Sequence, residues 1–198
     1  MYRLTHTLLE SWRRATDPEA DEDDFASFLN LLERKKTPKT PAMKTGIAFE
    51  TAINRYVSSQ TVDIEDERML KAVTQFGNRL RGAQLQVRAE LPVEIEKIPF
   101  LLVGVADALY AGIISDIKRP TRYEYGKYSL STQHPMYMEL FPETTRFDYL
   151  IFDGAYCYRE QYRRGDFAPI HDTIRAFVRY LNDADLMDTY KTYWEVKS

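Results

Sequence analysis

A lone cysteine, Cys157, in a chain of 198 residues excludes an internal disulfide and any four-cysteine zinc or iron–sulfur centre. On a strand, such a thiol serves packing. The three histidines, His6, His134 and His171, are scattered, and each reads as a surface or satisfied side chain rather than a ligand. There is no G-x-x-x-x-G-K-[ST] loop, so no nucleotide cofactor is expected, and a helicase motor would have to be a separate protein. No stretch approaches 18 uncharged apolar residues, so no membrane partner is expected. The opening MYRLTHTLLESWRR lacks the apolar core and cleavage site of a signal peptide. A reducing, cytoplasmic setting is the expectation.

What is present is a globular composition. Hydrophobic residues make up 44% and aromatics 13%, enough to bury one sizeable core, and no compositional break divides the chain. The expected organisation is a single domain over 1–198, with a helical extension (1–40), a core (43–165) and C-terminal helices (168–198). Net charge is only −3, but charge is clumped: Asp17–Asp24 is acidic, whereas Arg34, Lys35, Lys36, Lys39 and Lys44 follow one another without an intervening acid. That basic run is either a solvated loop or a strip for phosphate contacts.

Periodicity suggests a helix over 3–15 (Leu4, Leu8, Leu9, Trp12) and a second through Phe25, Phe28, Leu29 and Leu32, ended by the prolines of RKKTPKTPAMK. A third, Met43–Ser59, puts Gly46, Glu50, Ile53 and Val57 on one stripe. Glu50 then sits among core-facing positions, where a carboxylate needs a cationic partner or a metal, and Gly46 would let the helix approach a sheet. A helix over 64–82 and a half-buried strand over 84–94 follow, with Glu90 facing away from the strand's apolar row as a less favoured member of an acidic cluster. Ser131 or Thr132 caps a helix running to Phe141, with Pro135 in its first turn. Residues 147–153 and 155–162 read as strands turning at Gly154, and 171–181 and 186–194 as helices.

The most informative stretch is Ile98–Lys118. Two apolar runs flank Ala111-Gly112, a hairpin signal. An even loop, Ala111-Gly112 or Tyr110–Ile113, places Asp107 opposite Asp116. Opposed Cβ atoms lie about 4.5–5.5 Å apart and like charges there are destabilising, so something positive is needed between the two, and a divalent cation fits. Lys118 shares the face of Asp116. An odd loop would send the acids to opposite faces. Magnesium takes one or two carboxylates and keeps waters and phosphate oxygens in its shell, and lowers the pKa of bound water. Lys118 would stabilise the transition state electrostatically. After the hairpin, Arg119, Arg122 and Lys127 interleave with Tyr123, Tyr125 and Tyr128, which suits phosphate contact and base stacking and equally a tyrosine-rich solvated loop.

Asp107, Asp116-Ile117-Lys118 as a D-x-K element, Glu50 on a preceding helix and Gln133-His134-Pro135-Met136-Tyr137 as a Q-x-x-x-Y element occur in one order and spacing. In these, and in THTLLESWRRA and the run from Gly46 to Glu50, residues 5–140 resemble the PD-(D/E)XK nuclease superfamily, in its RecB-like and phage exonuclease branch. The resemblance implies an α/β restriction-endonuclease-like core, a central mixed sheet flanked by helices. It implies a DNA nuclease, in the main an exonuclease, of phage or bacterial recombination, repair or defence, dependent on Mg2+ or Mn2+. Asp107, Asp116, Glu50 and the Ile117 carbonyl would bind metal, Lys118 would be catalytic, and Gln133 and Tyr137 would shape the site or touch DNA. Arg119, Arg122, Lys127, Lys35, Lys36, Lys39 and Lys44 are the further candidates for DNA contact. Implied partners are double- or single-stranded DNA and a recombinase or helicase, and ring-forming relatives admit a homo-oligomer. Three departures stand out: Ala106 replaces the proline many members carry, Glu50 stands where many RecB-like members have histidine, and the cysteine cluster of iron–sulfur relatives is absent. The alternative class is a nuclease-fold DNA-binding accessory without turnover.

Overall fold

Two tight turns build the centre of the sheet. Glu96 and Lys97 (φ 53° and 62°) join β2 (Gln84–Ile95) to β3 (Ile98–Tyr110), and Ala111 and Gly112 (φ 47° and 75°) join β3 to β4 (Ile113–Lys118). Two left-handed residues in a row give the hairpin turn whose twist matches its strands, and the second turn ends in the glycine it favours. Ala111-Gly112 is thus the even loop, with Tyr110 opposite Ile113 and Ala108 opposite Ser115.

The computed structural model describes residues 1–197. It is an α/β fold with a mixed six-stranded sheet flanked by helices, consistent with a restriction-endonuclease-like core. β4 pairs in parallel with β5 (Arg146–Phe152), and β5 antiparallel with β6 (Cys157–Arg163). β1 (Tyr2–Leu4) runs parallel to Phe100–Leu102 of β3. The helices are α1 (His6–Ala15), α2 (Glu22–Leu32), α3 (Pro41–Val57), α4 (Glu67–Arg79), α5 (Gln133–Leu140), α6 (Ile170–Asp183) and α7 (Met187–Trp194).

Alternation along β5 serves two apolar clusters. Phe147, Tyr149 and Ile151 pack with Leu8 of α1, Phe28 of α2, Phe177 of α6 and Tyr190 of α7. Leu150 and Phe152 pack with Phe49 and Ile53 of α3 and Val73 and Phe76 of α4. Successive strand side chains point to opposite faces, so helices cover both sides. Along the β2–β3 hairpin the pattern breaks. Val87 and Ala106 join the first cluster whereas Leu85 and Ala108 join the second, although residues two apart normally share a face. Both strands therefore rotate between these positions. At the break lie Gln86, in a left-handed conformation (φ 53°) that costs a non-glycine residue about 1–3 kcal/mol, and Asp107, opposite it between the pairs Leu85–Ala108 and Val87–Ala106.

β2 occupies one edge of β3 for its whole length, so β1 and β4 share the other. The β3–β4 ladder ends at Ala108 and Ser115, and beyond it the two strands fork. The hydroxyl of Tyr137 plugs the exposed edge: it donates to Val105 O (2.9 Å) and accepts from Val105 N (3.2 Å). Gly104 lets α5 come that close, since a Cβ there would stand 2.7 Å from Leu140 Cδ1 and 3.1 Å from Tyr137 Cζ.

Several expectations need correction. Tyr2–Leu4 is a strand, because the ladder with β3 takes residues that the apolar spacing assigned to a helix, and the N-terminal segment is thereby part of the sheet. Pro41 begins α3 instead of only ending the preceding segment; at the first helical position its missing N–H costs nothing. Gly46 faces open space, so it permits no close approach. Of the two cap candidates, Ser131 Oγ accepts from Gln133 N at 3.2 Å, whereas Thr132 precedes α5 without capping it, its hydroxyl being donated to His6 O.

Replacing Tyr137 by phenylalanine keeps the ring and leaves two backbone groups of Val105 without their partner. Urea denaturation is expected to show a loss of about 1–3 kcal/mol.

Candidate metal and phosphate site

The fork between β3 and β4 holds the residues of interest. Where the ladder would continue, Asp107 turns its carboxylate across the gap, and Oδ2 accepts from Ile117 N at 2.8 Å. Asp116, 5% exposed, enters from β4. Its Oδ2 stands 2.8 Å from Lys118 Nζ but receives no well-aligned hydrogen bond, while its Oδ1 accepts from Gln133 Nε2 at 2.5 Å. Gln133 Oε1 in turn accepts from Lys118 Nζ at 2.9 Å. Gln133 and Lys118 thus form a clasp around Asp116. From the other side of the sheet, α3 brings Glu50, whose Oε1 accepts from Gln86 Nε2 at 2.8 Å.

Electrostatics separate this site from the other buried acids. Asp148, fully buried on the opposite face, is neutralised by Arg79 (3.1 Å) and Arg146 (2.9 Å) and accepts from Gln161. Glu160 is held by the hydroxyls of Tyr123 (2.7 Å) and Tyr162 and by Gly126 N. No arginine bonds to Asp107, Asp116 or Glu50 among the described residues. Burial, reinforced by repulsion from Asp116 and Glu50, pushes the Asp107 carboxyl well above its usual value. Burial, with repulsion from Asp116, also raises Glu50. For Lys118 burial works against the charged form, but Asp116 and Asp107 outweigh it and keep the group an ammonium.

Of the expected site residues, the structure brings the ligand candidates Asp107 and Asp116 together with Lys118 and sets Glu50 within electrostatic range. It does not gather the acids into a ready cage: among the described residues no three His, Cys, Asp or Glu side chains are close enough to hold a metal ion. A divalent cation fits the chemistry that is present, two opposed carboxylates without an arginine and one buried oxygen lacking an aligned donor. Tyr137 is 4% exposed and its hydroxyl is used by Val105, and Gln133 is equally buried; both shape the site and neither presents a surface to DNA. Glu90 lies apart, paired with Arg88.

The basic candidates divide. Arg119 lies over the Phe152 ring and donates to Pro120 O. Arg122 pairs with Glu124 (2.8 Å), and Lys127 donates to Arg122 O. Tyr128 stacks on Tyr149, near the Lys118 ammonium, and Tyr123 packs against Tyr158. These anchors leave Tyr125 at the tip, 87% exposed. Lys35 pairs with Glu33, and Lys36, Lys39 and Lys44 are exposed around the start of α3.

Glu10 and Gln86 escaped sequence reasoning, and His6, read there as a surface or satisfied side chain, packs beside the site. His6 and Glu10, one turn apart on α1, face α5. Burial and the Lys118 charge lower His6 to about 4, so its ring is neutral, and it packs edge-on to Tyr137. Glu10 Oε2 accepts from Thr132 N at 3.1 Å, fixing the start of α5 and so Gln133. Their four-residue spacing was the available signal. Gln86 carried none. His134 is a satisfied core residue, stacked on Tyr162 with Nδ1 3.2 Å from Tyr149 OH.

No protein-family model matches the chain, and no curated protein matches it. Among solved structures it is similar to SSO0001, at 14% identity over 90% of this chain and 76% of that one, with a TM-score of 0.49. It is also similar to Rai1 of Scheffersomyces stipitis, at 11% identity over 92% of this chain and 61% of that one, with a TM-score of 0.38.

A carboxyl raised in the folded state stabilises fully below its unfolded pKa and loses that contribution as pH rises through the folded value. Asp107, flanked by Asp116, Glu50, Lys118 and the Ile117 amide, is such a group. Asp107→Asn is therefore expected to melt above wild type at pH 8 without divalent ions, with the gap closing as pH falls toward 4. Added Mn2+ should raise the melting temperature of wild type and not of the variant. Thermal scans across pH check both.

Proposed function

We propose that this chain is a divalent-metal-dependent DNA nuclease, hydrolysing phosphodiester bonds in the cytoplasm of a bacterial host or phage-infected cell, in recombination, repair or defence. One observation carries the reading: Asp107 and Asp116 face each other across a strand fork with Lys118 beside them, and no arginine there answers their charge as Arg79 and Arg146 answer Asp148. Bound Mg2+ or Mn2+ would be held by Asp107 and Asp116, with Glu50 on the α3 side, and would supply Lewis-acid charge and a more acidic water.

The chain's own groups do the rest. The Lys118 ammonium, steered by Gln133 Oε1, stabilises charge developing on the phosphate oxygens and orients the attacking water. Water adds to phosphorus, the bond to the leaving oxygen breaks, and that oxygen takes up a proton. The loop from Arg119 to Lys127 offers cations to the backbone and the Tyr125 ring to a base, with Lys36, Lys39 and Lys44 as a second basic strip.

A second reading, a DNA-binding accessory without turnover, is favoured by the absence of a three-acid cage among the described residues and by the ion pair of Lys118 with Asp116. Incubation with linear and closed circular DNA, with Mg2+ or Mn2+, separates the two. Cutting by wild type, reduced at least about 100-fold in Asp116→Asn and Lys118→Ala, is expected. Equal cutting by the variants contradicts the proposal, and DNA binding without cutting under either metal selects the accessory. Digestion of linear DNA alone marks an exonuclease.

A further inference from the structure

Gln86 sits in a left-handed conformation at the point where β2 rotates between the two apolar clusters. It lies inside β2 between the paired residues Leu85 and Val87 and has no partner of its own in the ladder, and its φ is 53°, a conformation glycine adopts freely and a glutamine does not. Its side chain is exposed and, among the described residues, makes one hydrogen bond, to Glu50 Oε1 at 2.8 Å. A neutral donor on an exposed surface adds little to stability. The position is also specific: Gln86 and Asp107 lie in the break of the ladder between the pairs Leu85–Ala108 and Val87–Ala106, where the β2–β3 hairpin rotates from one apolar cluster to the other.

We propose that Gln86 is a positioning residue for Glu50, holding the α3 carboxylate toward the Asp107–Asp116 fork so that it serves a bound divalent cation. This rests on the reading of the fork as a metal site. β2 rotates here, with Leu85 on the α3 side and Val87 on the other, and the Gln86 amide reaches α3. Glu50 lies on a helix packed through Phe49 and Ile53 to a different face of the sheet from Asp116 and Lys118, and Gln86 ties that helix's carboxylate to β2, the strand paired with the one that carries Asp107. Donors to metal-binding carboxylates orient them, and losing such a donor weakens metal affinity by roughly 10–100-fold.

The test separates this role from a structural one because the two move in opposite directions. In Gln86→Gly the backbone relaxes and the donor disappears. Mn2+ titrated calorimetrically into the full chain is expected to bind at least about tenfold more weakly than to wild type, while the melting temperature of the metal-free protein stays level or rises. Gln86→Ala loses the donor without relieving the backbone, so it should match the glycine variant in Mn2+ affinity and melt below it. In a Glu50→Gln background, Gln86→Gly should cost no further affinity, since its effect runs through that carboxylate. Wild-type affinity in Gln86→Gly, an additional loss in the Glu50→Gln background, or an alanine variant melting above the glycine one each overturns the proposal. A wild-type protein that binds no Mn2+ overturns the metal reading itself and this inference with it, a result distinct from a wild type that binds and a glycine variant that binds equally well.

Discussion

Two like charges held opposite each other without an arginine are the constraint on which the rest of this structure turns. The β3–β4 ladder stops at Ala108 and Ser115, one residue short of Asp107 and Asp116. Had it continued, both carboxylates would stand on a closed surface with their backbones paired. Because it forks, Asp107 reaches across to the Ile117 amide and Asp116 is clasped by Gln133 and Lys118. The gap that remains is lined by acid. The same chain neutralises Asp148 with two arginines on the other face, whereas at the fork the cation that bonds to these acids among the described residues is the Lys118 ammonium, on Asp116.

Keeping the fork open takes support from several elements. Tyr137 satisfies the backbone of Val105, which the departure of β4 exposes. Gly104 admits the helix that carries Tyr137, and Glu10 on α1 fixes that helix at Thr132. Rotation of the β2–β3 hairpin lets one pair of strands serve two apolar clusters and leaves Asp107 between them, where groups from both sides of the sheet meet: Lys118 and Gln133 from one, Glu50 from the other. Stability is given up here in three forms, the raised carboxyls of Asp107 and Glu50, the unaligned oxygen of Asp116 and the left-handed Gln86. Strain and perturbed ionisation are concentrated in one place, and the proposed metal site rests on that concentration.

Much of this was legible in the sequence, and the reasons are physical. A glycine between apolar runs marks the turn, so the even loop at Ala111-Gly112 followed from the sequence, but the pairing expected of Asp107 with Asp116 does not form, because the ladder ends at Ala108 and Ser115. Most helices and strands followed from apolar spacing, since burial imposes it, and the α/β core from the resemblance. Tyr2–Leu4 was misread because three residues beside a helix carry no period of their own, and their strand exists only because β3 has a vacant edge. Gly46 was assigned a packing role that open space denies, while Gly104, which has one, sits in an unremarkable apolar run. Gln86 was invisible because nothing in a glutamine announces a left-handed backbone. The clasp of Gln133 and Lys118 was implied by the family resemblance as a pair of site residues, but its geometry depends on α5 docking through Tyr137, a contact between distant segments.

The most direct test of the central claim is anomalous diffraction from crystals of the full chain grown with Mn2+. The account requires a peak in the fork, in contact with the carboxylates of Asp107 and Asp116, with the Lys118 ammonium drawn away from Asp116 Oδ2. A fork without a peak, Lys118 still seated on Asp116, and manganese absent or bound elsewhere would contradict it.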